Sequence, residues 1–300
     1  MDLYQQIASN NRQTIFILVF FAAAVLGISF VAMEIAKVAP ENFPTISVVL
    51  FGFLFLWTLI SYFYGDKMIL SFVGAKPIER KDFFDLYNIV ENLSITAGLP
   101  NPKIYIIEDE SLNAFATGRD PEHSVVCVTR GLLKKLDKRE LEGVLAHEMS
   151  HIANYDVRLE LILITVIGAI SMVGEVMMRM RGGNEKKGGS IAFAGLFVYV
   201  VGYFVLHLVQ LAISRNREYL ADATGALYLR DPLPLASALE KIALDPRIES
   251  ADTMSSAAQL FIADPRSEGI KKGISGKSIF ALFSTHPPTE ERIKRLRGHS

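Results

Sequence analysis

Two long uncharged apolar runs set the first limit on how this chain folds. From Thr14 to Met33 no residue carries a charge, which is about the 20 residues one helix needs to cross a hydrocarbon layer. The run is too long for the apolar core of a secretory signal and reaches no small-residue cleavage site before Glu34. A second uncharged run extends from Asn42 to Gly65, with Trp57, Tyr62 and Tyr64 near its end, where aromatic rings anchor at a lipid–water boundary. The connection, around Lys37 to Glu41 with Pro40 and Pro44, is short, so the two helices are expected to form a hairpin. Hydrophobic residues make up 50% of the 300 residues and charged ones 21%. Their concentration into long stretches is the pattern of a bilayer-embedded chain.

A formal net charge of -1 leaves no electrostatic footprint for nucleic acid, so no nucleic-acid partner is expected. The single cysteine, Cys127, excludes an internal disulfide. It sits in the run Val125-Val126-Cys127-Val128-Thr129 and reads as a small buried hydrophobe rather than a reactive thiol.

From Asp66 to Asp156 the chain reads as soluble. The pattern predicts a helix over Asp82 to Ala97, stopped by Gly98 with Pro100 beyond. Strands are predicted at Lys103 to Glu108, Asn113 to Thr117 and Val125 to Thr129, with Gly118, Asp120 and Pro121 supplying a turn. Asp137 and Glu140 form a capping-box pattern that opens a further helix. Two more apolar segments follow. Leu161 to Gly174, between Glu160 and Glu175, falls short of a span unless it extends to Met178, and is otherwise re-entrant or buried. Ser190 to Ile213 is long enough and is interrupted only by His207. The polar, glycine-rich link Arg179 to Gly189 is expected to be mobile.

The helix opened by Asp137 carries His147-Glu148-Met149-Ser150-His151. Residues four apart lie one turn apart on one helix face, so both imidazoles can reach a single metal ion. Glu148, next to the first histidine, is placed to act as general base on a water at that metal. A catalytic zinc takes three protein ligands and keeps one position open. Glu218, in Ser214-Arg215-Asn216-Arg217-Glu218-Tyr219-Leu220-Ala221-Asp222, is the candidate third. Asp222, one turn on, is placed to accept a hydrogen bond from a ligand histidine. Taken without the first motif, this stretch, with Arg215 and Arg217, reads rather as an ordinary charged helix face. His151 precedes the third apolar segment and Glu218 follows the fourth. Two crossings or none therefore put both on one side of a membrane, close to its surface.

Four motifs in order carry a resemblance: Leu112-Asn113-Ala114-Phe115-Ala116-Thr117-Gly118, Ala146 to Asn154 around the two histidines, Ser214 to Asp222, and Thr285-His286-Pro287-Pro288. In these, and in the paired apolar segments around them, the chain resembles the HtpX-type heat-shock membrane metalloproteases, relatives of the CAAX-prenyl proteases. The resemblance implies an α+β integral membrane protein with a zincin-like (gluzincin) catalytic domain and about four transmembrane or membrane-associated helices. It also implies one zinc ion per chain, ligated by His147, His151 and Glu218 with Glu148 as base. The expected location is the cytoplasmic membrane, multi-pass, with the site facing the cytoplasm. The expected role is proteolytic quality control of unfolded or membrane-protein substrates. Residues 1–65 would form an N-terminal hairpin (helices about 14–36 and 44–64), and 66–157 the first part of the catalytic domain. Residues 158–213 would form a second hairpin (about 158–178 and 190–213), and 214–300 the rest of the catalytic domain.

Several readings stay open at this level. Asn113, Ala114 and Phe115 resemble the edge strand on which zincins bind an extended substrate by backbone pairing, or form a plain core strand. His286 either donates to the oxyanion formed in hydrolysis or pins the last helix to the domain. His207 is an intramembrane ionisable group or a neutral histidine at a helix interface. The basic residues Arg179, Arg181, Lys186 and Lys187 would lie outside if the second hairpin crossed fully, against the positive-inside tendency. A dedicated processing enzyme for one lipidated or membrane peptide, and a catalytically silent zinc-binding scaffold, are the rival functions.

Overall fold

The computed structural model describes residues 26–35, 37–179, 185–244 and 287–298, with isolated positions 12, 15, 16, 19, 23 and 262. For 54, 163–173, 185–191 and 202–216 the backbone alone is described. The chain divides into two compact units, residues 1–63 with 162–210, and residues 64–161 with 211–300.

In the first unit α1 (Leu26–Ile35) ends in a turn where Lys37 takes a left-handed backbone, φ 54. A single 3-10 turn at Pro40–Asn42 then feeds α2 (Phe43–Phe72), and the Phe30 ring meets Phe43 edge-on at 5.6 Å. α2 does not stop where its apolar run stops at Gly65, because Asp66 and Lys67 are compatible with a helix and its hydrogen bonds simply propagate. Val48, Val49, Phe55 and Leu56 on it are exposed. Among the described residues Pro40–Phe72 is the one helix long and apolar enough to cross a bilayer. α6 (Asp156–Arg179) and α7 (Glu185–Leu229) also contribute to this unit. Their backbones touch at two glycines: a Cβ on Gly195 would lie 2.7 Å from Met177 Cβ and 2.9 Å from the Gly174 carbonyl oxygen. Small residues permit this close approach of helices. The short third apolar segment is thus the middle of a 24-residue helix, about 36 Å long at 1.5 Å per residue. Gly188 and Gly189, expected in a mobile link, lie in the first turns of α7.

The second unit is built on a four-stranded sheet of order β1-β2-β4-β3, from β1 (Lys76–Pro77), β2 (Lys103–Ile107), β3 (Ala114–Gly118) and β4 (Ser124–Thr129). β2 runs parallel to β4, and β3 antiparallel to β4 with Ala114 opposite Val128. α3 (Phe84–Ala97) packs against α5 (Lys138–Ala153) and ends at Gly98, whose φ of 67 glycine adopts at no steric cost. Cys127 is fully buried in β4, and burial holds its thiol well above the usual range. The short α4 (Arg130–Lys135) leads into α5 (Lys138–Ala153).

The start of α5 is fixed by the expected capping box. Glu140 N donates to Asp137 Oδ1 at 2.9 Å and Asp137 N donates to Glu140 Oε2 at 2.9 Å. The same Glu140 also accepts from Ser237 (2.7 Å) and Lys241 (2.6 Å) of α8 (Leu233–Ile242). One side chain thereby caps a helix and fastens another across it. The last helix, α9 (Thr289–Arg297), pairs with α8 through Arg297 and Glu240 at 2.7 Å. Val144, Leu145, Met149 and Ile152 of α5 join Val126, Val128, Leu235 and Leu239 in one core cluster.

Candidate metal centre

Only one face of α5 is left for chemistry, since the opposite face is committed to that core. His147, Glu148 and His151 lie on α5, all buried. Glu218 and Asp222 lie one turn apart on α7, which presses against α5 at Gly225. A Cβ there would sit 3.0 Å from His147 N and 3.1 Å from Ala146 C. Ser150 Oγ reaches across to the Ala221 carbonyl at 3.3 Å.

The two imidazoles face each other with their Nε2 atoms 3.2 Å apart. Glu218 closes the third side, Oε1 lying 3.6 Å from His151 Nε2 and Oε2 3.8 Å from His147 Nε2. All three donor groups lie within 4.8 Å of one another. Each imidazole has its other nitrogen on a carboxylate: His147 Nδ1 is 3.0 Å from Asp222 Oδ1, and His151 Nδ1 is 3.0 Å from Asp156 Oδ2. With Nδ1–H donated outward, both Nε2 lone pairs point at one spot, where they repel unless a cation or proton lies between them. Tetrahedral coordination at Zn–N distances near 2.0–2.1 Å places two nitrogens roughly 3.3 Å apart. The donor set and its spacing fit a divalent metal.

Electrostatics divide the groups by role. Burial, then the neighbouring Arg292 charge, pushes His147 down to about 4, so it is neutral with a free lone pair. Burial disfavours a charge on His151, but the Asp156 hydrogen bond and the Glu218 carboxylate outweigh it and push the imidazole up to about 10. The direction of that shift favours a proton between the two rings. Burial raises the Glu148 carboxyl to about 7, the range suited to a group that takes and returns a proton. Asp222 is disfavoured as an anion by burial, yet Arg292 and His147 hold it down to about 2.

Two groups at this centre escaped the sequence reading. Asp156 reaches His151 because α5 and α6 are joined at Tyr155 in a left-handed conformation, φ 59. The same Asp156 meets Arg217 Nη1 at 3.4 Å. Arg292 of α9 is 1% exposed. It grips Asp222 with two parallel bonds, Nη2 to Oδ1 at 2.7 Å and Nε to Oδ2 at 2.9 Å, and its Nη1 lies 3.3 Å from Glu218 Oε2. The one available signal was its position one turn before Leu296, the other buried residue of an otherwise charged helix.

β3, with Ala114 and Phe115 and preceded by Asn113, is the outer strand of the described sheet. Asn113 O accepts from Thr129 N at 3.0 Å. By antiparallel alternation Phe115 and Thr117 also pair with β4, while Ala114 and Ala116 turn their backbone groups to the side away from β4. The Ala116 backbone hydrogen-bonds to the Glu148 carboxylate, so that edge runs directly over the α5 motif. His286, and the side chain of His207, lie outside the described residues.

A sheet edge lying over a helix with paired histidines, an adjacent buried glutamate and a third carboxylate defines a metalloprotease. The chain belongs to peptidase family M48, whose sequence profile matches residues 80–300. It is 43% identical to a protease HtpX homolog of Tropheryma whipplei (strain Twist), with 98% of each chain covered. It is 39% identical to one of Thermoanaerobacter pseudethanolicus (99% of this chain, 97% of that one), and 40% identical to one of Dictyoglomus turgidum (98% and 94%). Among solved structures, the crystal structure of S. mikatae Ste24p overlaps 97% of this chain and 66% of its own, at 18% identity and a TM-score of 0.49.

Proposed function

We propose that this metalloprotease is a zinc-dependent, membrane-bound endopeptidase in which His147, His151 and Glu218 hold the zinc and Glu148 is the general base. The observation that carries the reading is the convergence of two Nε2 atoms 3.2 Å apart with Glu218, each imidazole being oriented from behind by a carboxylate. Bound there, zinc lowers the pKa of water towards ~7 and polarises a carbonyl oxygen. Asp222 and Asp156 fix the imidazole tautomers. Glu148 takes the proton from the attacking water and returns it to the leaving amine. The strand segment Asn113, Ala114 and Phe115 holds an extended substrate through the outward-facing backbone of Ala114, with Asn113 and Phe115 fastening it to β4 and the Ala116–Glu148 bond setting its distance from the base. Burial of Glu148 excludes bulk water from this proton's path.

The apolar segments of α1, α2, α6 and α7 provide four membrane helices, with the site at the cytoplasmic surface of the membrane. A site beside the bilayer suits unfolded and membrane-protein substrates, and the HtpX relatives support a role in quality control. The decisive variant is Glu148→Gln. The purified chain should keep about one zinc per chain yet cut casein slower by about 10²–10⁴-fold, whereas His147→Ala should lose the metal itself. Undiminished turnover in Glu148→Gln would sink the mechanism.

A further inference from the structure

The edge of β3 away from β4 is already in use. Ile262 N donates to the Ala114 carbonyl oxygen at 2.9 Å, two residues before Ala116, whose backbone bonds to Glu148. The carbonyl of the same Ile262 accepts from Arg292 Nη1 at 3.1 Å. That guanidinium also lies 3.3 Å from Glu218 and 3.4 Å from both ring nitrogens of His147. One residue thus has its N–H on the edge strand and its C=O on a cation beside the metal-ligand candidates. The residue is 2% exposed and belongs to the same core cluster as Val144, Met149 and Leu239. The first of its two backbone bonds is one that an extended substrate residue lying along β3 would make; the second ties the residue to α9.

We propose that Ile262 is an internal occupant of the substrate edge, an autoinhibitory contact that an incoming extended chain must displace. The proposal rests on the protease reading and deepens it by naming what competes for the site. A docked Ile262 leaves only a fraction of molecules open, and apparent substrate affinity falls by that fraction. A long unfolded chain, offering many extended registers, displaces the contact more readily than a folded protein does. Selectivity for unfolded chains would then be written into the resting enzyme.

The test uses the full-length chain in detergent micelles, loaded with zinc and carrying Glu148→Gln so that nothing is cut. In that background Ile262→Ala, which removes the apolar anchor, and Ile262→Pro, which removes the N–H donor, should each bind fluorescein-labelled unfolded casein at least about 10-fold tighter. A synthetic peptide copying residues 258–266 should compete casein off the Ile262→Ala protein, while the same peptide with proline at the isoleucine should not. Independently of any Ile262 variant, saturating casein should accelerate hydrogen exchange at the Ile262 amide. Equal or weaker casein binding in both variants at matched zinc content, or an Ile262 amide whose exchange casein leaves unchanged, overturns the proposal. Failure of the zinc-loaded wild type to cut casein at all would count against the protease reading instead.

Discussion

His151 and Asp156 face each other across the break between α5 and α6, Nδ1 to Oδ2 at 3.0 Å, both buried. Only four residues lie between them, yet they belong to different helices, and the left-handed Tyr155 between them makes the contact. The carboxylate fixes the tautomer that leaves Nε2 free for metal, and makes the ring a better donor. Asp156→Asn should weaken zinc binding roughly 10–100-fold with little change in fold, read by competition with a chelator of known affinity. Unchanged zinc affinity would show that His151 needs no support from behind.

Arg292 is a second support. Its guanidinium neutralises Asp222 and touches Glu218, and all three side chains are 5% exposed or less. Removing the cation leaves two buried carboxylates facing each other, a change that costs about 3–5 kcal/mol when one partner of a buried pair is lost. Arg292→Met should therefore lower the apparent melting midpoint by about 10 °C, and Arg292→Lys by less, since the bidentate grip is lost but the charge stays. A midpoint within about 2 °C of wild type for Arg292→Met would refute the compensation argument.

What could be read from the sequence was whatever local spacing encodes. His147 and His151, and again Glu218 and Asp222, are pairs one helical turn apart, so each pair shares a face in any helix. The Asp137–Glu140 cap is likewise contained within four residues. Asp156 was hidden because its position depends on a single backbone torsion at Tyr155. Arg292 was hidden because 70 residues separate it from Asp222 and its neighbours in α9 are mostly exposed charges. Hydropathy marked where apolar stretches end, but not where helices end. α2 therefore runs on past Gly65, and the fourth apolar segment and the Glu218 stretch are parts of one helix, α7.

Gly225 tests how tightly that helix must lie on α5. Alanine is the better helix former by about 1 kcal/mol, so an isolated α7 would gain from Gly225→Ala. In the folded chain the new methyl would sit 3.0 Å from His147 N and 3.2 Å from His147 Cα, backbone atoms that cannot swing aside. Overpacking of this kind costs about 1–3 kcal/mol, so the steric cost should win. α7 would shift outward by a few tenths of an ångström and carry Glu218 with it. The expected result is a lowered melting midpoint and about 10-fold weaker zinc binding. A stabilised variant with wild-type metal affinity would mean the helices can part freely.

Glu140 lies away from the metal and allows a cleaner pH experiment. Burial opposes its charge, but the Lys241 ammonium, the Asp137 N–H and the Ser237 hydroxyl outweigh it and hold its carboxyl below the usual 4.5. A carboxyl with a depressed folded pKa contributes stability fully above its unfolded value, and that contribution fades as pH falls through the folded pKa. Lys241 is 37% exposed, so solvent screens part of the attraction. About 1–2 kcal/mol remains for a charge-assisted hydrogen-bond set of this kind. Glu140→Gln should thus melt lower than wild type by a constant margin from pH 8 down to about 5. Below about 4.5 the two melting curves should converge as the wild-type carboxylate takes up its proton. A margin that stays constant or widens under acid would place the cost in lost helix capping rather than in the ion pair to α8.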